Sequence, residues 1–260
     1  MLFSVKNVSV AYPVRGHAPF IAVNDVSFSV DAGQSFGIVG ESGCGKTSLA
    51  KTIIGLHPPA SGEMRFDGRD VLQMTASQFK EYRRSVQMIF QDAVGSLNPR
   101  MTVQQVLEEI LRVHQMRPAD HVQQRVMELL DRVGLPPDLL HAYPREMSGG
   151  QCQRVSIARC LALEPRLIIA DEPVSALDVS VQARILNLIR TLQTELNLAV
   201  ILISHDLAVV RNICDRVAVM YQGQFVETGI AAEVMDHPQH AYTRALLAAV
   251  PDVGRGLRLP

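Results

Sequence analysis

Gly40-Glu-Ser-Gly-Cys-Gly-Lys-Thr47 follows the short apolar run Phe36-Gly-Ile-Val39 and opens a stretch of helical character that runs to about Ile54. A strand, a glycine-rich turn spaced GxxxxGK[ST] and a helix, in that order, form the context in which this pattern binds phosphate. The glycines let successive backbone N–H groups turn inward around an anion. The helix N-terminus adds unpaired donors and a favourable dipole. In such a loop Lys46 reaches the outer phosphates and the Thr47 hydroxyl is offered to Mg²⁺.

Outward from this loop, the first third of the chain reads as strands. Leu2–Val10 and Val23–Val30 alternate, Pro13–Pro19 forms a loop between them, and Glu63–Phe66 and Val86–Phe90 read as two more strands. Residues 92–160 differ. Val103, Val106, Leu107, Ile110 and Leu111 fall at helix spacing, as do Val122, Val126, Leu129, Leu130 and Val133, with Pro118 and Leu135-Pro-Pro137 as punctuation. The pattern then returns to strand and helix. Leu167–Ala170 and Ala199–Ile203 are buried-strand runs on either side of a helix at Val181–Glu195. Val217–Met220 and Phe225–Glu227 flank Gly223 as a hairpin, and a last helix spans Ala241–Val250. This alternation predicts an α/β core with a mainly parallel sheet, an antiparallel strand set and an inserted helical subdomain. The expected division is 1–91 and 161–235 for the core with its β subdomain, 92–160 for the insertion and 236–260 for a tail.

Composition narrows the function classes. The chain has 260 residues, 47% of them hydrophobic, which is ample for a core of one or two domains. Lys and Arg number 25 against 26 Asp and Glu, so there is no global field for nucleic acid or anionic lipid. Aromatic residues are 5% with no Trp, which argues against a stacking platform for single strands. Mean hydropathy is +0.11, yet runs such as Ala199–Ile203 are far too short to span a bilayer. The N-terminus does not have the layout of a signal peptide, so a cytosolic chain is expected. Cys44, Cys152, Cys160 and Cys214 form no CxxC pair, and neither a disulfide framework nor a zinc site is expected. His237 and His240 lack a thiol or nearby carboxylate cluster to make a metal site with them.

A nucleotide site needs a second acidic element. Leu167-Ile-Ile-Ala-Asp-Glu172 is a buried strand that ends in two carboxylates, which puts Asp171 at the carboxyl edge of the sheet beside the loop. Asp171 is the candidate Mg²⁺ ligand, and Glu172 the residue that activates or orients an attacking water.

Ser148-Gly-Gly-Gln151, in the string Glu146-Met-Ser-Gly-Gly-Gln-Cys-Gln-Arg154 and 20 residues before Asp171, resembles the signature motif of ATP-binding-cassette (ABC) ATPases. The usual Leu at its head is replaced by Met147, an apolar change of similar volume. Other elements match in order. Gln91 resembles the loop glutamine that contacts Mg²⁺ and the attacking water. Ser175-Ala-Leu-Asp178 resembles the loop that crosses the dimer interface. His205, in Ile203-Ser-His-Asp206, resembles the switch histidine at the γ-phosphate, and Tyr12 resembles the aromatic that stacks on adenine. The resemblance covers nearly the whole chain. It implies a P-loop NTPase (RecA-like) core and ATP hydrolysis with Mg²⁺. It also implies that Gly40, Ser42, Gly43, Cys44, Gly45, Lys46, Thr47 and Ser48 bind ATP. Two cassettes, identical or paralogous, would pair head to tail, each ATP lying between one phosphate loop and the partner's Ser148, Gly149, Gly150, Gln151 and Asp178.

Two further strings, Phe90-Gln-Asp-Ala-Val-Gly-Ser-Leu-Asn-Pro-Arg100 and His237-Pro-Gln-His-Ala-Tyr-Thr-Arg-Ala-Leu-Leu-Ala-Ala-Val-Pro251, look like the peptide/nickel/opine importer branch, with Gln239 and a shifted histidine as departures. That branch implies two transmembrane permease subunits, a solute-binding protein outside the membrane, and a peripheral position on the cytoplasmic face. A groove on the helical insertion near Gln91–Val103 would receive a permease helix. Some members carry a cysteine cluster in a longer tail. No cysteine here lies beyond Cys214, so no iron–sulfur cluster is expected. The alternative is a soluble cassette ATPase acting on nucleoprotein. The chain shows no second cassette, interrupting coiled coil, zinc cluster or basic arm to favour it, and no nucleic-acid partner is expected.

Overall fold

Side chains of successive residues in a strand point to opposite faces of the sheet, and the buried runs follow this rule. In the computed structural model, which describes residues 1–249, Phe36, Ile38, Leu167, Ile169, Ala199, Ile201, Ile203, Ala218 and Met220 belong to one hydrophobic cluster. Their neighbours Val39, Ile168, Ala170, Val200, Leu202, Val217 and Val219 belong to another. The sheet is thus covered on both sides, as its near-continuous apolar strands require.

The first third of the chain builds β1 (Phe3–Tyr12), β2 (Phe20–Val30), β3 (Ser35–Val39), α1 (Lys46–Ile53), β4 (Ser61–Phe66), β5 (Arg69–Asp70), α2 (Ala76–Ser85) and β6 (Val86–Ile89). The insertion supplies α3 (Ala93–Ser96), α4 (Val103–Val113), α5 (Val122–Arg132) and α6 (Gly149–Leu161). Next come β7 (Leu167–Asp171), α7 (Val179–Leu196), β8 (Ala199–Ser204), α8 (Leu207–Ile213), β9 (Arg216–Tyr221), β10 (Gln224–Ile230), α9 (Ala231–Asp236) and α10 (Ala241–Ala248). Val250, the expected end of the last helix, and the tail beyond it lie outside the described residues. The six-stranded sheet has the order β10-β9-β3-β8-β7-β6, parallel except for β10 on β9. The second sheet, β2-β1-β4-β5, is antiparallel and packs with α1 over one face of the first.

The insertion shares its core with the other face. Leu107, Leu111, Val126 and Leu129 join the same cluster as Ile168 and Val200. Helix α6 is buried on several sides, from Cys152 through Leu161, and links the two parts. Helices α2, α8 and α9 were not legible in the hydrophobic pattern. In α2 only Tyr82 is buried, and its ring packs on Phe66 and Phe79. All four cysteines are buried free thiols.

Candidate functional site

Strand register brings the candidate residues to one edge. Val39 pairs with Ser204 across β3 and β8, Asp171 with Ile203 across β7 and β8, and Ile89 with Ala170 across β6 and β7. Gly40, Glu172, His205 and Gln91 therefore leave the sheet together at its carboxyl end, where open α/β sheets place their ligands.

Gly45 caps α1 with φ +111° and has no side chain to accept a hydrogen bond. A Cβ there would lie 2.2 Å from the Ala22 carbonyl oxygen, so only glycine fits. The first amides of α1 stay unclaimed by a cap and available to an anion. Lys46 is only 5% exposed, and its ammonium donates to the carbonyls of Gly40 and Glu41, both at 2.7 Å. Ser42, Gly43 and Cys44 complete the turn, and the Cys44 carbonyl accepts from the Gly223 amide at 3.0 Å.

Thr47, one residue into α1, donates through Oγ1 to Asp171 Oδ1 at 3.3 Å. Asp171 is 4% exposed. Burial pushes its carboxyl above the ordinary aspartate range, the Thr47 bond and Lys46 pull it back, and Glu172 pushes it further up. A buried carboxylate held by one hydroxyl is short of positive charge, and two hard oxygen donors suit Mg²⁺. Among the described residues no three His, Cys, Asp or Glu side chains converge as a metal cage.

Glu172 adopts φ +45°, a left-handed conformation that costs a non-glycine residue about 1–2 kcal/mol. Its amide donates to the Ile203 carbonyl at 2.9 Å. Its two carboxylate oxygens face different partners: Gln91 Nε2 donates to Oε2 at 3.1 Å, and His205 Nδ1 lies 3.4 Å from Oε1. Three residues read separately from the sequence are thus in contact. Sequence reasoning missed the frame around His205. The Ser204 hydroxyl accepts the Asp206 amide, and the Asp206 carboxylate caps α8 through Ala208 and Val209. The signal was present as an aspartate before an apolar run.

Tyr12 sits beside α1. Its hydroxyl donates to Ser48 Oγ at 3.3 Å, and its ring stacks on His57 at 4.5 Å between centroids. The structure does not bring the Ser148–Gln151 motif to this cluster. Among the described residues no hydrogen bond joins that motif, or Asp178, to the phosphate loop. Ser148 and Gln151 form a reciprocal capping box at the start of α6. Gly149 and Gly150 approach Leu177 and Val181 at the start of α7, and Asp178 is exposed.

A groove of roughly 780 Å³, lined in part by Phe90 and Asp92 on either side of Gln91 in the sequence, runs between core and insertion. Its apolar lining includes Ile54, Met88, Phe90, Met101, Val106 and Ile110. No helix among the described residues is long and apolar enough to cross a membrane.

The family model described as "ABC transporter" matches residues 23–175, more than half of the chain. The chain is 46% identical over 260 residues to the oligopeptide transport ATP-binding protein OppF of Haemophilus influenzae, covering 96% of this chain and 78% of that one. It is 50% identical over 257 residues to the oligopeptide transport ATP-binding protein AppF of Bacillus subtilis, with the same coverage of 96% and 78%. Among solved structures, a dimeric ATP-binding cassette in a post-hydrolysis state with ADP and Pi superposes with a TM-score of 0.79 at 27% identity. That match covers 88% of this chain and 99% of the other.

Proposed function

The chain belongs to the ABC transporter family, and from that premise we propose that it is the ATP-hydrolysing subunit of a bacterial importer for peptides, nickel chelates or similar small solutes. Oligopeptides are favoured by the names of the relatives at 46% and 50% identity. The observation that carries the catalytic reading is Glu172, held by Gln91 on one oxygen and facing His205 on the other.

In this reading the amides of Gly43 to Ser48 cradle the phosphates, Lys46 turns from the loop carbonyls to the outer phosphates, and Tyr12 supports adenine. Thr47, Asp171 and Gln91 would hold Mg²⁺, which when bound neutralises charge building up on the phosphates. Glu172 accepts a proton from the attacking water, while Gln91 orients that water and the carboxylate. His205 senses the γ-phosphate position. Ser148, Gly149, Gly150, Gln151 and Asp178 serve the site of a second cassette, the same chain or a paralogue, which explains why they lie apart from their own chain's loop. The 92–160 insertion carries Ser148, Gly149, Gly150 and Gln151 and rotates with them, whereas Asp178 belongs to the core, against which Tyr242, Leu246 and Leu247 of the tail pack.

In each cassette of the pair, the groove lined by Phe90, Met101 and Ile110 receives a short helix from one of the two permease subunits. A solute-binding protein outside the membrane supplies the cargo, and the cassettes sit peripherally on the cytoplasmic face. In membranes holding the chain with its permeases, Glu172→Gln is expected to retain ATP, accumulate a closed dimer and lower hydrolysis by about 10²-fold or more. Hydrolysis at the parental rate would remove Glu172 from its role. Fractionation of the wild-type chain with ribosomes or DNA instead of membranes would favour an ATPase acting on nucleoprotein.

A further inference from the structure

The phosphate loop is held from outside as well as from within. Gly40 lies so close to β9 that a Cβ on it would be 2.2 Å from the Met220 carbonyl oxygen. The Gly223 amide takes the Cys44 carbonyl. A third hold comes from the last described helix: the Glu41 amide donates to the Tyr242 hydroxyl at 3.2 Å, across 201 residues of sequence. Lys46 takes the carbonyls of Gly40 and Glu41 from the inner side. The peptide units on both sides of Glu41 are therefore gripped, and Tyr242 supplies the outer grip on its amide.

The phenol is placed by a built support. Its ring packs against Tyr221, the last residue of β9, at 4.2 Å between centroids. The Tyr242 amide donates to His240 Nδ1. Glu227 on β10 accepts the Gln239 and His240 amides at 2.7 and 3.0 Å, and Arg244 donates to the Pro238 and Gln239 carbonyls. Burial alone would raise the Glu227 carboxyl, but the bonds from these amides, together with neighbouring Thr243 and the His240 ring, outweigh it and hold it below the ordinary glutamate range. Adjacent Thr243 is fully buried. An anion loop works by the direction of its amides, so a group that fixes one peptide plane in the loop acts on its neighbours.

We propose that Tyr242 is a positioning residue for the phosphate loop, through which the docking of α10 sets nucleotide affinity. The proposal rests on the assignment of Gly40–Thr47 as the ATP site, and the test separates the two. Tyr242→Phe keeps the ring on Tyr221 and removes the acceptor, while Tyr242→Ala removes both. With full-length chain and Mg-ATP, Tyr242→Phe is expected to weaken ATP binding and raise KM about twofold to tenfold, the range for loss of one neutral hydrogen bond. The kcat at saturating ATP and the melting temperature should stay near the parent, and hydrogen exchange of the Glu41 amide should speed up. Tyr242→Ala should show the same two losses with a lower melting temperature. Lys46→Ala is the control for the site. If Lys46→Ala also binds ATP as the parent does, the ATP-site assignment fails. If Lys46→Ala loses ATP but Tyr242→Phe shows parental affinity or parental Glu41 exchange, Tyr242 is packing only and the proposal is overturned.

Discussion

Helices α1 and α6 both start at glycine-rich turns, and they are finished in opposite ways. The cap of α1 is Gly45, which has no acceptor, sits at φ +111° and is walled by the Ala22 carbonyl and Met220. The lysine that follows is buried under the loop. The cap of α6 is Ser148, which closes on Gln151 in a reciprocal box at an exposed position. One N-terminus is left without a side-chain cap, on an exposed turn backed by its own chain at Gly45 and Lys46. The other is satisfied locally and faces outward. A surface of the second kind becomes part of a site when another molecule carries the anion to it. A two-fold pair of cassettes meets that condition, because each chain then supplies its phosphate loop to one site and its Ser148 turn to the other.

The largest expected effect tests this contrast with one added methyl at each cap. Gly45→Ala forces a side chain into a left-handed backbone at a cost of about 1–2 kcal/mol, and its Cβ meets a backbone oxygen that cannot swing away. Nucleotide binding by the single cassette should fall at least about tenfold, the equivalent of 1.4 kcal/mol, and the melting temperature should drop. Gly149→Ala meets only the Leu177 side-chain tip at 3.1 Å, and Gly149 is not at positive φ. Its folding stability should stay within about 0.5 kcal/mol of the parent, with unchanged ATP binding by the single cassette and slower hydrolysis in the pair. Equal damage to single-cassette nucleotide binding by both variants would show that the two turns serve one site in one chain.

A smaller effect separates the two jobs of Ser148. Ser148→Ala opens the capping box and should cost about 1 kcal/mol of stability, seen as a lower melting temperature. In mixed dimers with one mutant cassette, hydrolysis should fall at the parental chain's phosphate loop. That outcome is read by placing Glu172→Gln on one chain or the other to silence one site at a time. Loss at the mutant's own loop would contradict head-to-tail pairing.

The same contrast explains what was legible before the structure. The parallel strands announced themselves because both their faces are buried, so runs such as Leu167–Ala170 stay apolar throughout. The phosphate loop is legible because its backbone constraint is local and only glycine meets it. Gln91, Asp171, Glu172 and His205 could be placed at one edge because each follows a strand, though the Glu172 contacts depend on register, which sequence does not state. Helix α2 escaped because its pattern is polar, although its Thr75–Gln78 capping box is the same device as at Ser148. The groove was half visible. Met101 lies in the expected span, but Ile54 comes from the end of α1 and Met88 from β6. The Tyr242 bond to Glu41 had no signal at all, since the tail's apolar residues indicate packing and nothing in its pattern points 201 residues back.

A different kind of effect lies at Tyr12, which borders the Gly45 cap without being part of it. Its hydroxyl bond to Ser48 ties it to the first turn of α1, and the His57 ring, with Nε2 3.3 Å from the Ala11 carbonyl, backs its stack. A base stacked on an aromatic side chain is worth about 1–3 kcal/mol by alanine substitution, less than the phosphate contacts together. Tyr12→Ala should therefore weaken ATP about fivefold to 100-fold on that scale. Stacking tolerates any base, so GTP should weaken by a similar factor. Tyr12→Phe keeps the stack and loses only the Ser48 bond, so it should bind ATP nearly as the parent does. Because Ser48 lies in the first turn of α1 behind the Gly45 cap, the Tyr12→Ala loss should appear in single cassettes and be independent of a partner's Ser148. Unchanged affinity in Tyr12→Ala would take adenine away from this ring. A loss seen only in the paired state would move the base toward the interface and erase the distinction between a cap finished within one chain and a cap completed by two.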